Sequence, residues 1–262
     1  MIALRKYSKT AAMSAASYVG DNPLFLLNYL LHFVRVAVLL ALWRLILAGK
    51  GEVSGLTLPA VLTYTLLAEA FYEPLQGRTA LADALWNGTI VTRLLHPVGT
   101  FAEFSAEALG RWGFTFCVFS LPLLAVAPLL GVSPLPASPL AGVLFVLSLG
   151  LAIAVGLAVD FVLGTAMTAL ELTRWALEQV RWALLIILSG ALVPLALLPW
   201  GLGEVFGWLP FAAMASAPLR IYTGTGAPGS LLALQAGWAL ALWPLARWMW
   251  CANREKLVTH GG

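Results

Sequence analysis

Six apolar runs, each near the length that crosses a bilayer, alternate along this chain with short stretches that hold most of its charge. They cover about Leu24–Leu47, Leu58–Leu75, Phe104–Leu130, Leu140–Leu170, Trp182–Leu198 and Leu231–Cys251. A membrane-crossing helix needs roughly 20 predominantly apolar residues. Of the 262 residues, 61% are apolar and 10% charged, where a soluble domain carries about 25% charged residues. Charge that scarce cannot coat a water-facing surface, and no hydrophilic block is long enough to fold alone. The sequence predicts an all-α, polytopic membrane bundle of six transmembrane helices forming a single domain over residues 1–262.

The 24 glycines and 15 prolines fit such a bundle, because broken spans are tolerated where protein covers the freed backbone groups. Cys117 and Cys251 both fall in apolar stretches and read as small buried hydrophobes rather than a disulfide. Residues 1–20 place Arg5, Lys6 and Lys9 opposite Leu4, Tyr7, Ala11, Ala15 and Tyr18 at helical spacing. That is the pattern of a helix lying in the headgroup layer, and it lacks the continuous apolar stretch of a signal peptide.

Orientation follows from the basic residues, which stay on the cytoplasmic side. With the N-terminus inside, Arg5, Lys6, Lys9, Arg78, Arg93, Arg111, Arg174, Arg181, Arg247, Arg254 and Lys256 are cytoplasmic. Arg44, Lys50 and Arg220 are outside, so both chain ends are assigned to the cytoplasm. Trp86, Trp112, Trp175, Trp182, Trp248 and Trp250 line the inner boundary, while Trp43, Trp200 and Trp208 mark the outer one. The net charge of +3 is too small to suggest nucleic acid as a partner.

Catalytic signatures are lacking. There is no GxxxxGK[ST] phosphate loop, no HExxH and no Cys-x-x-Cys. His32, His96 and His260 are too far apart on a six-span map to converge on a metal. Ser54-Gly55 and Ser189-Gly190 have no histidine at matching depth to act as a base. The expectation is a chain without catalytic, cofactor-binding or metal-binding residues.

Charges inside the spans carry more information. Arg35 lies near the middle of the first span, and Glu69 and Glu73 lie one helical turn apart in the second. A charge at the bilayer centre costs ~2.5–3.5 kcal/mol on insertion scales and turns toward protein or water. Arg35 and Glu69 fall at about the same depth, so they are expected to pair across neighbouring helices. Asp160, in the fourth span, is expected near the inner boundary and hydrated there.

Two irregular stretches complete the map. Between the second and third spans, Thr79 can cap a short helix over Ala80 to Trp86, which Asn87-Gly88 ends in the left-handed conformation. Two turns are too few to be stable alone in water, so this helix must dock on something. Gly88-Thr-Ile-Val-Thr-Arg93-Leu-Leu-His96-Pro97-Val98 returns the chain to the membrane. On the outer side, residues 195–218 are apolar but broken by Pro199, Gly203 and Pro210, following Pro194. Short re-entrant helices dipping into the outer leaflet between the fifth and sixth spans reconcile these two facts.

In order and spacing, several pieces resemble an ABC-2 type permease, the six-helix membrane subunit of an ATP-binding-cassette exporter. They are the basic N-terminal helix, the return Gly88…Leu94-Leu95-His96-Pro97-Val98 and the run Leu188-Ser-Gly…Pro194. Further along come Leu209-Pro-Phe211…Pro218…Ile221-Tyr, Gln235…Trp238 and the tail ending His260-Gly-Gly. One departure is His96, where the family often has Arg before the proline. The resemblance implies that segment 79–98 couples to a separate ABC ATPase chain through Leu81, Asp83, Leu85, Trp86, Asn87, Gly88, Arg93 and His96. It implies that ATP and Mg are held by that partner chain and that a second permease, identical or related, completes a dimer. Pro194, Pro199, Gly203 and Pro210 would shape an outer gate. The implied cargo is a hydrophobic or amphipathic drug, lipid or glycan-like compound, moved across the inner (plasma) membrane of a prokaryote with membrane lipid around the bundle. A rival is an ion- or proton-coupled secondary carrier using Arg35, Glu69, Glu73 and Asp160, though such carriers commonly show repeated halves. A lipid-modifying membrane enzyme would need a His/Asp/Cys constellation that the chain lacks.

Overall fold

The computed structural model describes residues 2–20, 24–96 and 99–253. The Pro97-Val98 step and the tail bearing Arg254, Lys256 and His260 lie outside the described residues, as do the side chains of Leu4, Arg5, Lys6 and Tyr18. In chain order come α1 (Ile2–Gly20), α2 (Phe25–Ile46), a hairpin of β1 (Glu52–Val53) and β2 (Leu56–Thr57), α3 (Leu58–Ala70) and α4 (Tyr72–Gln76). They are followed by α5 (Leu81–Trp86), α6 (Ile90–Leu94), α7 (Thr100–Thr115), a π-helical turn (Phe116–Ser120) and α8 (Leu121–Val126). The second half holds α9 (Pro139–Ala169), α10 (Arg174–Leu188), a 3-10 turn (Leu195–Leu197), α11 (Leu202–Gly207), α12 (Pro210–Met214), α13 (Ser216–Tyr222) and α14 (Pro228–Ala252).

Four helices among the described residues are long and apolar enough to cross a membrane: Leu26–Ile46, Thr100–Val126, Pro139–Ala169 and Pro228–Ala252. The other two apolar runs are interrupted or shorter, for local reasons. Pro74 has no N–H to give the Ala70 carbonyl, so the second run breaks at Phe71 into α3 and α4, and the Ser120 hydroxyl donates to that carbonyl instead. The third run begins at Thr100, earlier than expected, and widens into the π turn just before Pro122. There the Leu121 N–H bonds to the Phe116 carbonyl, five residues back.

The fifth run needs the largest correction. Its helix covers Arg174–Leu188 rather than 182–198. Thr173 caps it by accepting from the Ala176 N–H at 3.2 Å, and Ser189 closes it. The polar patch that precedes the apolar run, residues 174–181, forms the first two turns of the helix.

α9 forms the axis. Ser138 caps it, accepting from the Ala141 N–H at 3.1 Å, and Pro139 opens its first turn. α4, α5, α10, α12, α13 and α14 pack around it. One apolar core joins α5, α7 and the end of α9 around Leu81, Phe104 and Phe161. A second joins α2, α3 and the π turn around Val36, Leu40, Leu66 and Phe119. α2 is held by a thin stripe, leaving Leu26, Leu30, Leu31, Val34, Val38 and Leu45 exposed.

α1 lies along α7. At their crossing a Cβ on Gly110 would fall 2.1 Å from the Ala11 carbonyl oxygen, so no larger residue fits, and Ser14 donates to the Glu107 carbonyl at 3.0 Å. Cys117 and Cys251 are exposed rather than buried. Their apolar neighbours belong to the outer face of the bundle, where apolar surroundings do not mean core. Trp43 and Trp112 are also corrections, since both are buried between helices rather than lying at a surface belt.

One end of the bundle collects the hairpin, the turn at 131–138 and the segment 195–209. Thr63 donates to the Ser133 carbonyl at 2.9 Å, Arg44 donates to the Leu130 carbonyl, and the Ala137 N–H bonds to the Tyr222 carbonyl at 2.9 Å. Ser54 and Gly55, at φ +52° and +77°, form the hairpin turn.

Candidate functional site

Two polar clusters lie inside the bundle, and they differ in construction. The first surrounds the link between α4 and α5, residues 76–80. Gly77 ends α4 at φ +61°, and a Cβ there would lie 2.5 Å from the Gly156 Cα of α9, so the two backbones touch directly. The backbone polar groups of this link are then claimed by three side chains from three other helices. Arg181 of α10 donates to the Gln76 carbonyl at 2.6 Å. Arg111 of α7 donates to the Arg78 carbonyl at 3.0 Å. Asp160 of α9 accepts from the Thr79 N–H at 2.9 Å and from the Thr79 hydroxyl, and it forms an ion pair with Arg181. Both charged partners are almost fully buried. Asp160 is therefore enclosed by protein rather than hydrated, and Arg181 is a buried residue of α10. Each is tolerable in the interior because the other neutralises it and hydrogen bonds occupy the remaining polar atoms.

Leu81, the first residue of α5, presses on Gly164 of α9, where a Cβ would meet its Cδ2 at 2.9 Å. The helix starts at Leu81, one residue later than expected, with Ala80 at the N-cap position, and the Thr79 hydroxyl oxygen accepts from the Leu81 N–H at 3.1 Å. Leu81 and Leu85 are buried in the core, so within the expected coupling segment they anchor α5 to the bundle. Trp86 and Asn87 are exposed at the end of α5, and the half-buried Gly88 follows at φ +71°. Asp83 is half-buried between Arg78 and Arg174, and Arg78 also reaches Glu178 at 3.2 Å, so α5 is tied to α10 at the surface as well. Arg93 reaches Glu107 at 2.6 Å and Glu103 at 3.3 Å, with its guanidinium over the Phe104 ring. His96 Nδ1 is 2.9 Å from Glu103 Oε1. Both basic side chains thus brace the α6 turn on α7.

The second cluster joins α2 to α3. Arg35 Nη2 lies 3.0 Å from Glu69 Oε1, the pair expected from matching depth. His32, which the sequence reading left unassigned, is 2.9 Å from Glu69 Oε2. It lies one turn before Arg35 on the same face of α2, which was the available signal. The Arg35 guanidinium also lies over the Tyr72 ring at 5.1 Å. Glu69 is buried, whereas the Arg35 side chain is 45% exposed. Arg35 faces a groove of about 280 Å³ between α2, α3, α4 and α10, which Gln76, Trp182 and Ser189 also line. On the other side of Glu69, Glu73 joins His32, Tyr29 and Thr115 around a smaller hollow of about 100 Å³. Among the described residues no group of three or more His, Cys, Asp or Glu is placed to hold a metal ion.

Protein groups hold the backbone at the two ends of the broken segment beyond α10, while α11 between them has no buried residue. The Tyr64 hydroxyl donates to the Gly190 carbonyl at 2.7 Å, and the Gln235 amide donates to the Ala213 carbonyl at 2.8 Å and the Ser148 carbonyl at 3.0 Å. The Ser216 N–H bonds to the Ser189 carbonyl at 3.1 Å. Pro194 is buried beside the 3-10 turn, Pro199 is exposed, Gly203 packs on the Leu195 carbonyl, and Pro210 opens α12. Ser189-Gly190 is the end of a helix and Ser54-Gly55 a hairpin turn.

No curated protein and no solved structure matches the chain. A family model does, and it covers the Asp160 cluster, Arg35 and Glu69 of the second cluster, the α4–α5 link, the broken segment and the last span. It is the model for ABC-2 family transporter proteins, matched over residues 33–261. The chain is a multi-pass membrane protein of the ABC-2 transporter family.

Proposed function

We propose that the chain is the permease subunit of an ATP-driven exporter, forming the path for a hydrophobic or amphipathic compound and doing no catalysis itself. ATP and Mg are held by a separate ABC ATPase, and two permeases, identical or related, pair in the membrane of a prokaryotic cell. In this reading α3 with α4, and α10, complete six spans, both chain ends are cytoplasmic, α1 lies at the inner interface, and residues 195–218 form the outer gate. The segment 79–98 is the part the ATPase moves.

The observation that carries this reading is the α4–α5 link. Its carbonyls and N–H are held by Arg181, Arg111 and Asp160, and its backbone touches α9 at Gly156. A push on the exposed end of α5 therefore cannot be absorbed locally. It passes into α9 and α10, as a lever must do to turn a cytoplasmic motion into a change of helix packing.

The test is transport in vesicles containing the permease and its co-purified ATPase. Transport should require ATP, and it should be lost in Trp86→Ala or Asp83→Arg while the complex remains assembled and still hydrolyses ATP. Transport on an imposed ion gradient without ATP would overturn the reading in favour of a secondary carrier. Normal transport by both variants would remove α5 from the coupling role.

A further inference from the structure

The Arg35 cluster is not symmetric. Glu69 is buried in the wall between two hollows and is engaged on both oxygens, by Arg35 on one side and His32 on the other. Arg35 meets that carboxylate through Nη2 alone and turns the rest of its guanidinium toward the larger groove. Glu73 lies on the His32 side, lining the smaller hollow. Among the residues lining the larger groove, Arg35 is the cation; Glu69 lines it too, but it is buried and both of its oxygens are engaged by Arg35 and His32. Gln76 and Ser189 add polar groups beside it, and Leu185, Ile186 and Leu192 continue the groove as an apolar strip.

A planar guanidinium with donors to spare accepts a carboxylate or phosphate in a two-point contact. An apolar strip running away from it accepts an alkyl chain. We infer that the groove between α2, α3, α4 and α10 binds an amphiphile with an anionic headgroup, carboxylate or phosphate, the headgroup on Arg35 and the tail along Leu185, Ile186 and Leu192. Trp182, exposed at the rim of the same groove, flanks the tail. A cationic headgroup is refused there because it would face Arg35 with no available carboxylate. The inference deepens the permease reading by naming its cargo class, but binding itself needs neither ATP nor an ATPase.

The experiment is equilibrium binding of dodecyl phosphate and dodecanoate to the purified full-length chain in a nonionic maltoside detergent, with dodecyltrimethylammonium as the opposite-charge probe. Both anions should bind saturably and the cation should not. If one anion binds and the other does not, the headgroup is assigned to the one that binds. Arg35→Gln should weaken anion binding by about tenfold or more. Because that variant leaves Glu69 short of a partner, Arg35→Gln/Glu69→Gln is measured beside it; it keeps the pair uncharged and should lose binding equally. Equal binding of the cation, or wild-type anion binding by the folded double variant, would overturn the inference. Either result would leave ATP dependence of transport untouched, and loss of ATP dependence would leave the binding result standing.

Discussion

Two buried carboxylates of this protein, Asp160 in α9 and Glu69 in α3, each pair with an arginine, and their surroundings differ. Around Asp160 the space is filled: Thr79 supplies two donors, Arg181 is itself buried, and the glycines of α4 and α9 touch backbone to backbone. Around Glu69 the carboxylate is enclosed but its arginine opens on a groove. An ion pair with no free space around it fixes helices to one another. One with a half-exposed cation keeps unspent donors and can meet a third party. The same two residue types therefore serve as a joint in one place and as a receptor in the other.

That contrast can be broken by experiment, beginning where the effect is largest. Asp160→Asn leaves Arg181 charged and buried without its partner, and it should cost about 3–5 kcal/mol. The variant should fail to yield folded protein or should unfold well below the wild type on heating in detergent. Asp160→Asn/Arg181→Met should recover much of the loss. A stable single variant would mean the joint is not a joint. Gly77→Ala comes next, at about 2–3 kcal/mol, because the added methyl meets the Gly156 backbone at a positive φ. If its melting temperature equals that of Gly99→Ala, where a Cβ meets open space, the backbone contact is not tight.

Arg35→Gln should cost less, about 1.5 kcal/mol, since His32 still serves Glu69. A loss as large as that of Asp160→Asn would erase the distinction between the two clusters. Smallest is Arg78→Ala. Its pairs with Asp83 and Glu178 are at the surface, so the change should fall within ~1 kcal/mol and shrink further in high salt. A salt-independent loss would place that network inside the joint rather than outside it.

Sequence and structure agree where hydropathy alone decides. α2, α9 and α14 begin and end within a few residues of the apolar runs that mark them. The match over residues 33–261 bears out the family named from weak, ordered pieces. Hydropathy misleads where a polar residue finds its partner far along the chain. Arg181 made the start of α10 look like a loop, and nothing near it in sequence announces Asp160. Thr79 is a similar case, because its hydroxyl reaches a carboxylate 81 residues away. Arg35 and Glu69 were legible because position along two neighbouring spans is a length that can be counted. Leu81 and Leu85 were not, because two turns of helix do not reveal which face lies against the bundle. Cys117 shows the converse problem: in a membrane protein an apolar run has two apolar destinations, the core and the outside, and composition does not tell them apart.

The π-helical turn at Phe116–Ser120 bears on how this span tolerates change in length. Removing one residue from an ordinary α-helix swings everything beyond it by roughly 100°. At a π turn one extra residue is already held locally while the two flanks stay in phase. Deleting a single residue there tightens the turn to the regular pitch and leaves Thr100–Thr115 and Leu121–Val126 facing their present neighbours. The third span thus carries its own slack, and a deletion scan should find a tolerant point at this turn flanked by intolerant ones on both sides.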